Sequence, residues 1–232
     1  MTICVIIPAM NEAAAIAGVV RGVPNNVDHI VVVDNASDDG TGDTARAAGA
    51  DVIRVDKPGY GRACLAGVAR AAELEASILV FMDGDGADDP EDMTRIVDPI
   101  FRDEADFVVG ARLHGGAEAG SLTLPQKFGN ALACWLMRAI WKGAFTDLGP
   151  FRAIRASTLE RLSVNAKTFG WTVEMQVRAL KAGVRCAETP VSYRRRIGVS
   201  KISGTVKGVV LAGAHILGVI GREALFDRRS RS

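Results

Sequence analysis

Ile78-Leu79-Val80-Phe81-Met82 runs straight into Asp83-Gly84-Asp85-Gly86-Ala87-Asp88-Asp89. An unbroken apolar run of this length describes a strand buried on both faces, as in a mostly parallel sheet covered by helices. The two glycines allow a tight turn or close backbone approach, and a continuing pleat aims Asp83 and Asp85 to one side. In open α/β sheets ligands bind beyond the carboxyl ends of strands, so these acids arrive where a ligand sits. Two carboxylates converging there repel each other unless a hard cation lies between them. Mg2+ or Mn2+ commonly takes one or two carboxylates plus substrate phosphates, which makes Asp83 and Asp85 candidate metal ligands. The plainer reading is an acidic surface turn.

Similar apolar runs occupy residues 3–7, 30–33 and 107–109, with a weaker one at 52–55. Helical stretches at 12–20, 41–48, 62–73 and 90–101 separate them, the last opening with Pro90-Glu91-Asp92, which suits a helix first turn. This alternation predicts a doubly wound α/β core over roughly residues 1–112. Beyond it the sequence predicts a loop at 115–124, a helix at 126–142, a strand at 151–155 and a helix at 172–182 closed by Gly183. An edge strand over 186–194 and a final helix over 205–226 complete the chain.

With 232 residues, 48% hydrophobic and 24% charged, the chain is neither disordered nor collagen-like. The formal net charge of +1 averages opposites. From Asp83 to Asp106 ten acids face only Arg95 and Arg102, whereas Tyr193 to Lys201 holds four cations and no acid. Such a split matters to a charged ligand more than the sum does. Cys4, Cys64, Cys134 and Cys186 lie far apart without a C-x-x-C, so free thiols in a reducing compartment are expected. No basic region precedes the first apolar run, and the uncharged stretch 208–221 is shorter than the roughly 20 residues that span a bilayer. A cytoplasmic protein is expected, with peripheral contact to the cytoplasmic face of a membrane as an option.

Several chemistries fail on detail. The first strand ends Pro8-Ala9-Met10-Asn11-Glu12, with no G-x-G-x-x-G for a dinucleotide. An EF-hand loop is spoiled by Ala87 and Asp88 and needs a preceding helix. A haloacid-dehalogenase nucleophile strand normally opens its domain and is followed by residues that Gly86 and Ala87 do not supply. Nucleic acid is a poor partner, since no aromatics interleave with the cations. Asp34, ending the second strand, suits a ribose hydroxyl or a base N–H; local turn or cap roles for Asn11, Asp34 and Asn35 are the competing explanation.

Taken in order, 5–12 (VIIPAMNE), 31–41 (VVVDNASDDGT), 59–63 (GYGRA) and Asp83-Gly84-Asp85 resemble family 2 glycosyltransferases of the GT-A fold, nearest the polyprenyl (dolichyl) phosphate sugar transferase branch. Later matches are 109–112 (VGAR), 146–152 (TDLGPFR) and 171–179, so the resemblance spans about residues 3–205. It implies a mostly parallel central sheet flanked by helices and a division into a GT-A domain at 1–205 and a C-terminal amphipathic helix with basic tail at 206–232. It further implies that Pro8, Ala9, Asn11, Glu12, Asp34 and Asn35 hold a UDP- or GDP-sugar, with Asp83 and Asp85 on the metal and diphosphate. Two positions depart from the pattern. Asn35 stands where many relatives have a second acid, and Ala87 where the dolichyl-phosphate branch commonly has Gln as a further metal ligand.

The family is generally inverting, which implies one in-line displacement. An alcohol acceptor needs a general base, whereas a phosphate, with a second pKa of about 6, is already ionised at neutral pH. The chain has only three histidines but many phosphate-binding cations: Arg112, Lys127, Arg194, Arg195, Arg196 and Lys201. That balance favours a phosphate acceptor, and the resemblance implies that it is a lipid phosphate. For an alcohol acceptor Asp147 is the candidate base; a buried acid paired with Arg152 or a backbone N–H is the competing role. Glu174 either contacts the acceptor or braces the site. The stretch 193–201 resembles the branch's mobile acceptor loop, and extended alternation predicts that Arg194 and Arg196 act together while Arg195 points elsewhere. The final apolar helix either packs on the core, joins a second copy or lies on anionic lipid. A catalytically silent nucleotide-sugar binding module is the reading from a different class.

Overall fold

The computed structural model describes residues 1–198 and 206–229. The strands are β1 Ile3–Ala9, β2 His29–Asn35, β3 Asp51–Val55, β4 Ile78–Phe81, β5 Phe107–Ala111, β6 Arg152–Arg155 and β7 Cys186–Pro190. They form one sheet in the order β3-β2-β1-β4-β6-β5-β7. β6 runs antiparallel to both β4 and β5, and every other pairing is parallel.

The helices are α1 Ala13–Gly22, α2 Thr41–Ala47, α3 Tyr60–Glu73, α4 Met93–Phe101, α5 Arg112–Gly115, α6 Leu124–Trp141, α7 Ala156–Leu162, α8 Trp171–Lys181 and α9 Val206–Arg229. β1 shows how the two layers arise from period-2 side chains. Its Ile3, Val5, Ile7 and Ala9 join α1, α2 and α4 on one face, through Ile16, Val19, Ala45, Met93 and Ile96. Its Cys4 and Ile6 join α3, α6, α7, α8 and α9 on the other, through Cys64, Met137, Leu159, Trp171 and Val219. α9 packs against α6 and α8 and buries Val219, Ile220 and Glu223. No helix among the described residues is long and apolar enough to cross a membrane.

Chain order reverses at β1: β2 and β3 lie to one side, β4 to the other. The crevice at such a switch point is where α/β sheets take ligands. In register Ala9 pairs with Asp34 and Ile6 with Phe81, so the segments after β1, β2 and β4 reach this edge together.

The structure departs from the expected elements in four places. The 90–101 helix divides into a 3-10 turn, Pro90–Asp92, capped by the Asp89 side chain, and then α4. The short α5 and α7 were not anticipated. The 186–194 strand stops at Pro190, opposite Ala111 where its partner β5 ends; beyond it Tyr193 makes isolated bridges to Asp88 and Ala117. α6 begins at Leu124 because Thr123 and Gln126 form a reciprocal capping box.

Candidate active site

After β1 the chain turns at Asn11, whose φ of 54° is left-handed, a region asparagine enters more readily than most residues. Asn11 Oδ1 accepts the Asp38 N–H at 2.9 Å, and the Asn11 N–H donates to Ser37 Oγ at 3.0 Å. The Glu12 N–H donates to Thr41 Oγ1 at 2.8 Å, so the loops after β1 and β2 are tied together. Asp34, buried at the end of β2, accepts the Ser37 N–H at 2.9 Å and pairs with Arg54 Nη1 from β3 at 2.6 Å. Asn35 Oδ1 accepts the Gly59 N–H at 3.0 Å and fixes the turn into α3. Asp34 therefore takes a local turn role through Ser37, whereas Asn11 and Asn35 tie together loops far apart in the chain, and all three stand at the switch-point edge together with Pro8, Ala9 and Glu12.

Beyond β4 the acidic turn is crowded. Tyr60 Oη donates to Asp83 Oδ1 at 3.2 Å, and the Ala87 N–H donates to Asp85 Oδ1 at 2.9 Å. Gly86 takes φ 76°, which glycine adopts without penalty. The Asp83 N–H donates to Asp88 Oδ2 at 3.2 Å, while Asp88 Oδ1 is buried without a partner. Burial, and then the Asp85 charge, push the Asp83 carboxyl up to about 7. Burial together with Asp83 and Asp85 pushes Asp88 well above the carboxylate range. These acids fit a divalent cation, because their repulsion and the orphaned oxygen are what such a charge relieves. Among the described residues no three Asp, Glu, His or Cys side chains gather round one point. Asp83 and Asp85 would therefore hold the ion together with oxygens brought by a substrate.

Cations close the site from two directions. Arg196 Nη2 meets Glu12 Oε1 at 2.6 Å and its Nη1 lies 3.3 Å from Asp85 Oδ2, while its Nε is buried without a partner. Arg194 pairs with Asp89, and Arg195 instead donates to the Ala119 carbonyl at 2.8 and 3.0 Å. The backbone of this basic segment also clasps the acidic turn: the Arg194 N–H donates to Ala87 O at 2.7 Å and the Ile197 N–H to Asp85 O at 2.9 Å. Arg112, at the end of β5, lies under the Tyr193 ring at 5.1 Å and donates to both oxygens of Asp147, at 2.6 and 3.1 Å. Burial opposes the charge on Arg112, but the Asp147 carboxylate outweighs it and holds the guanidinium above its ordinary range. Glu188 of β7 accepts the N–H groups of Thr146 and Asp147 at 2.7 and 3.0 Å, fixing Asp147 in turn.

A cleft of about 490 Å³ joins these groups. Asp83, Asp85, Arg112 and Arg196 line it from the sheet edge, and Phe128, Leu132, Ile216 and Leu217 line it from α6 and α9. One wall is therefore charged and the other mostly apolar, with Gln126 and Asn130 of α6 as its polar members. The remaining candidates stand elsewhere. Asp147 is 1% exposed, with both oxygens on Arg112 rather than on Arg152; Arg152 instead donates to the carbonyls of Gly149, Thr172 and Leu148. Glu174 is buried, accepts the N–H groups of Asn165 and Ala166 and pairs with Arg178 and Arg222, so it braces α8. Lys127 is exposed on the outer side of α6. Lys201 lies outside the described residues. Tyr60, Arg54 and Glu188 escaped the sequence reading as site groups; only Tyr60, within the Gly59–Gly61 stretch, had a local signal.

The family model for glycosyl transferase family 2 matches residues 4–163. The undecaprenyl-phosphate mannosyltransferase of Micrococcus luteus is 31% identical, and the alignment covers 96% of each chain. The polyprenol monophosphomannose synthase of Mycolicibacterium smegmatis is 32% identical over 87% of this chain and 81% of its own. Among solved structures, glucosyl-3-phosphoglycerate synthase from Mycobacterium tuberculosis, in complex with Mn2+, uridine diphosphate and phosphoglyceric acid, superposes with a TM-score of 0.77 at 21% identity. It covers 96% of this chain and 78% of that one, a likeness of fold.

Proposed function

The chain belongs to glycosyl transferase family 2, and from that premise we propose that it moves a hexose from a UDP- or GDP-sugar to a polyprenyl phosphate, with inversion and with Mg2+ or Mn2+. The observation that carries this reading is the cleft with one charged and one mostly apolar wall. Asp83, Asp85, Arg112 and Arg196 suit a diphosphate and an incoming phosphate; Phe128, Leu132, Ile216 and Leu217 suit a hydrocarbon. The names of the relatives from Micrococcus luteus and Mycolicibacterium smegmatis support the same acceptor class.

In the reaction an oxygen of the acceptor phosphate attacks the anomeric carbon while the bond to the nucleoside diphosphate breaks on the opposite side. Asp83 and Asp85 would hold a divalent ion, which would supply positive charge against the leaving diphosphate. Arg112 adds a guanidinium whose direction Asp147 sets, so no reorganisation is needed when that charge appears. Arg196 holds a second guanidinium beside Glu12 and Asp85, at the junction of donor and acceptor. Pro8, Ala9, Asn11, Glu12, Asp34 and Asn35 frame the nucleotide edge. No proton has to be removed from an ionised phosphate, and Asp147, the base candidate for an alcohol, has both oxygens engaged.

The test offers UDP- and GDP-hexoses to the purified protein with Mn2+ and undecaprenyl phosphate in detergent. A lipid-extractable sugar phosphate from one donor class is expected. Equal transfer to the unphosphorylated polyprenol would refute the acceptor, and no turnover of any donor would favour a silent module. Asp85→Ala should cut turnover by roughly two orders of magnitude or more; retained turnover would refute the metal role.

A further inference from the structure

Residues 142–149 belong to no helix or strand, yet the middle of this segment is pinned at every backbone polar group. Glu188 Oε1 of β7 accepts the Thr146 and Asp147 N–H groups at 2.7 and 3.0 Å. Asn130 of α6 donates from Nδ2 to Thr146 O at 2.9 Å and accepts the Leu148 N–H on Oδ1 at 2.8 Å. Gln176 of α8 donates to Asp147 O at 2.9 Å, and Arg152 of β6 donates to Leu148 O at 3.0 Å. Side chains from four elements thus do for these three residues what a ladder or a helix does elsewhere. Glu188 holds both leading N–H groups and is itself held, since its Oε2 accepts the Thr146 hydroxyl at 2.6 Å.

The pinned segment carries Asp147, whose carboxylate accepts three N–H groups of Arg112: the backbone at 2.8 Å, Nε at 3.1 Å and Nη2 at 2.6 Å. A fork of this kind sets the plane of the guanidinium as well as its place. Arg112 Nη1 takes no partner among the described residues, and Arg112 lines the cleft together with Asp83 and Asp85. β7 reaches both ends of this chain of contacts, because Glu188 pairs with Val109 of β5, three residues before Arg112.

We propose that Glu188 is a positioning residue for Arg112, acting through the Asp147 backbone so that the guanidinium is already aimed when charge appears on the leaving diphosphate. Fixed charge helps most where charge develops, whereas a side chain free to swing must be ordered during the reaction itself. This role rests on the function proposed above for Arg112 and adds what keeps Arg112 in place. A Glu188 that merely satisfied two N–H groups of a buried segment would matter to stability and leave diphosphate affinity alone.

The test is calorimetric titration of the full chain, in Mn2+, with inorganic pyrophosphate, which carries the leaving group's charge and needs neither nucleotide nor acceptor. Glu188→Ala should weaken pyrophosphate binding by about tenfold. It should lower kcat for the donor by about the same factor with little change in donor KM, the pattern of an interaction made as charge develops. Glu188→Gln keeps an oxygen for both N–H groups and an amide donor for the Thr146 hydroxyl, so it should restore affinity to within about twofold. Arg112→Lys leaves Asp147 a cation but no fork, and in that background Glu188→Ala should weaken pyrophosphate by less than about twofold more. Should Glu188→Ala fail to fold, Glu188→Asp, one carbon short of the two N–H groups, replaces it in each comparison. Unchanged pyrophosphate affinity in the folded variant would overturn the role, as would a Gln variant as weak as the Ala one or losses that multiply with Arg112→Lys. A parent that binds no pyrophosphate would sink the diphosphate role of Arg112 and this one with it. No transfer to polyprenyl phosphate, with the pyrophosphate pattern intact, would sink the acceptor reading and leave Glu188 its role.

Discussion

A carboxyl at the end of a buried strand loses hydration before it gains a partner, and at Asp83 the outcome is a pKa of about 7. Because the folded value lies above the unfolded 3.8, the fold prefers the protonated acid. Its favourable contribution is whole below about pH 4 and drains away as pH climbs to about 7; Asp88 acts in the same direction. In EDTA, Asp83→Asn should therefore raise Tm, with a gain that grows from pH 4.5 to 7 and then levels off. Mn2+ should raise the Tm of the parent at pH 8 and not that of the variant. Thermal denaturation across this pH range checks both, and a gain independent of pH would refute the assignment. The places of Asp34, Asp83 and Asp85 could be read from sequence because a strand buried on both faces must carry its next polar residues out to the sheet edge. The partner of Asp147 could not, since Arg112 lies 35 residues away and is brought there by the pairing of β5 with β6. Glu174 illustrates the same limit: its helix was visible, but the 165–166 backbone it holds depends on how the chain returns.

Helices and strands were legible where a pattern was unbroken. β1, β2 and β4 carry unbroken apolar runs, whereas α5, with four residues, is too short to display a helical period. β7 was read too long because alternation continues past Pro190 although the partner strand β5 ends at Ala111. Packing of α9 on the core was one of the readings its sequence left open, and one glycine makes room for it. A Cβ on Gly170, the residue preceding α8, would lie 2.6 Å from Val219 Cγ2 of α9. Gly170→Ala should cost about 1–3 kcal/mol in urea unfolding, the usual range for overpacking. Val219→Ala in the same chain should cancel much of that loss, and a double-mutant cycle measures the cancellation. Additive losses would mean that α9 does not bear on Gly170.

For the whole molecule, the net charge of +1 gave no hint of the arrangement that matters, in which the acidic turn after β4 and the cationic segment after β7 are clasped together beside one cleft. Their opposite signs were plain in the sequence; their meeting was not, because β4 and β7 are separated in the sheet by β6 and β5. The clasp between Ile197 N–H and Asp85 O, with Arg196 on Asp85 and Glu12, joins the two regions proposed to bind donor and acceptor by direct contacts. A nucleotide sugar that shifts the acidic turn must also alter the hold on the basic segment, and whatever binds that segment must alter the turn. Reciprocity then requires a single factor in both directions. Saturating donor should change the Kd of a short-chain prenyl phosphate by roughly tenfold, and that ligand should change the donor's Kd by the same ratio. Calorimetric titrations in both orders measure the two ratios, which Arg196→Ala should bring towards one. Each substrate would then read the other's arrival through a contact that neither of them makes.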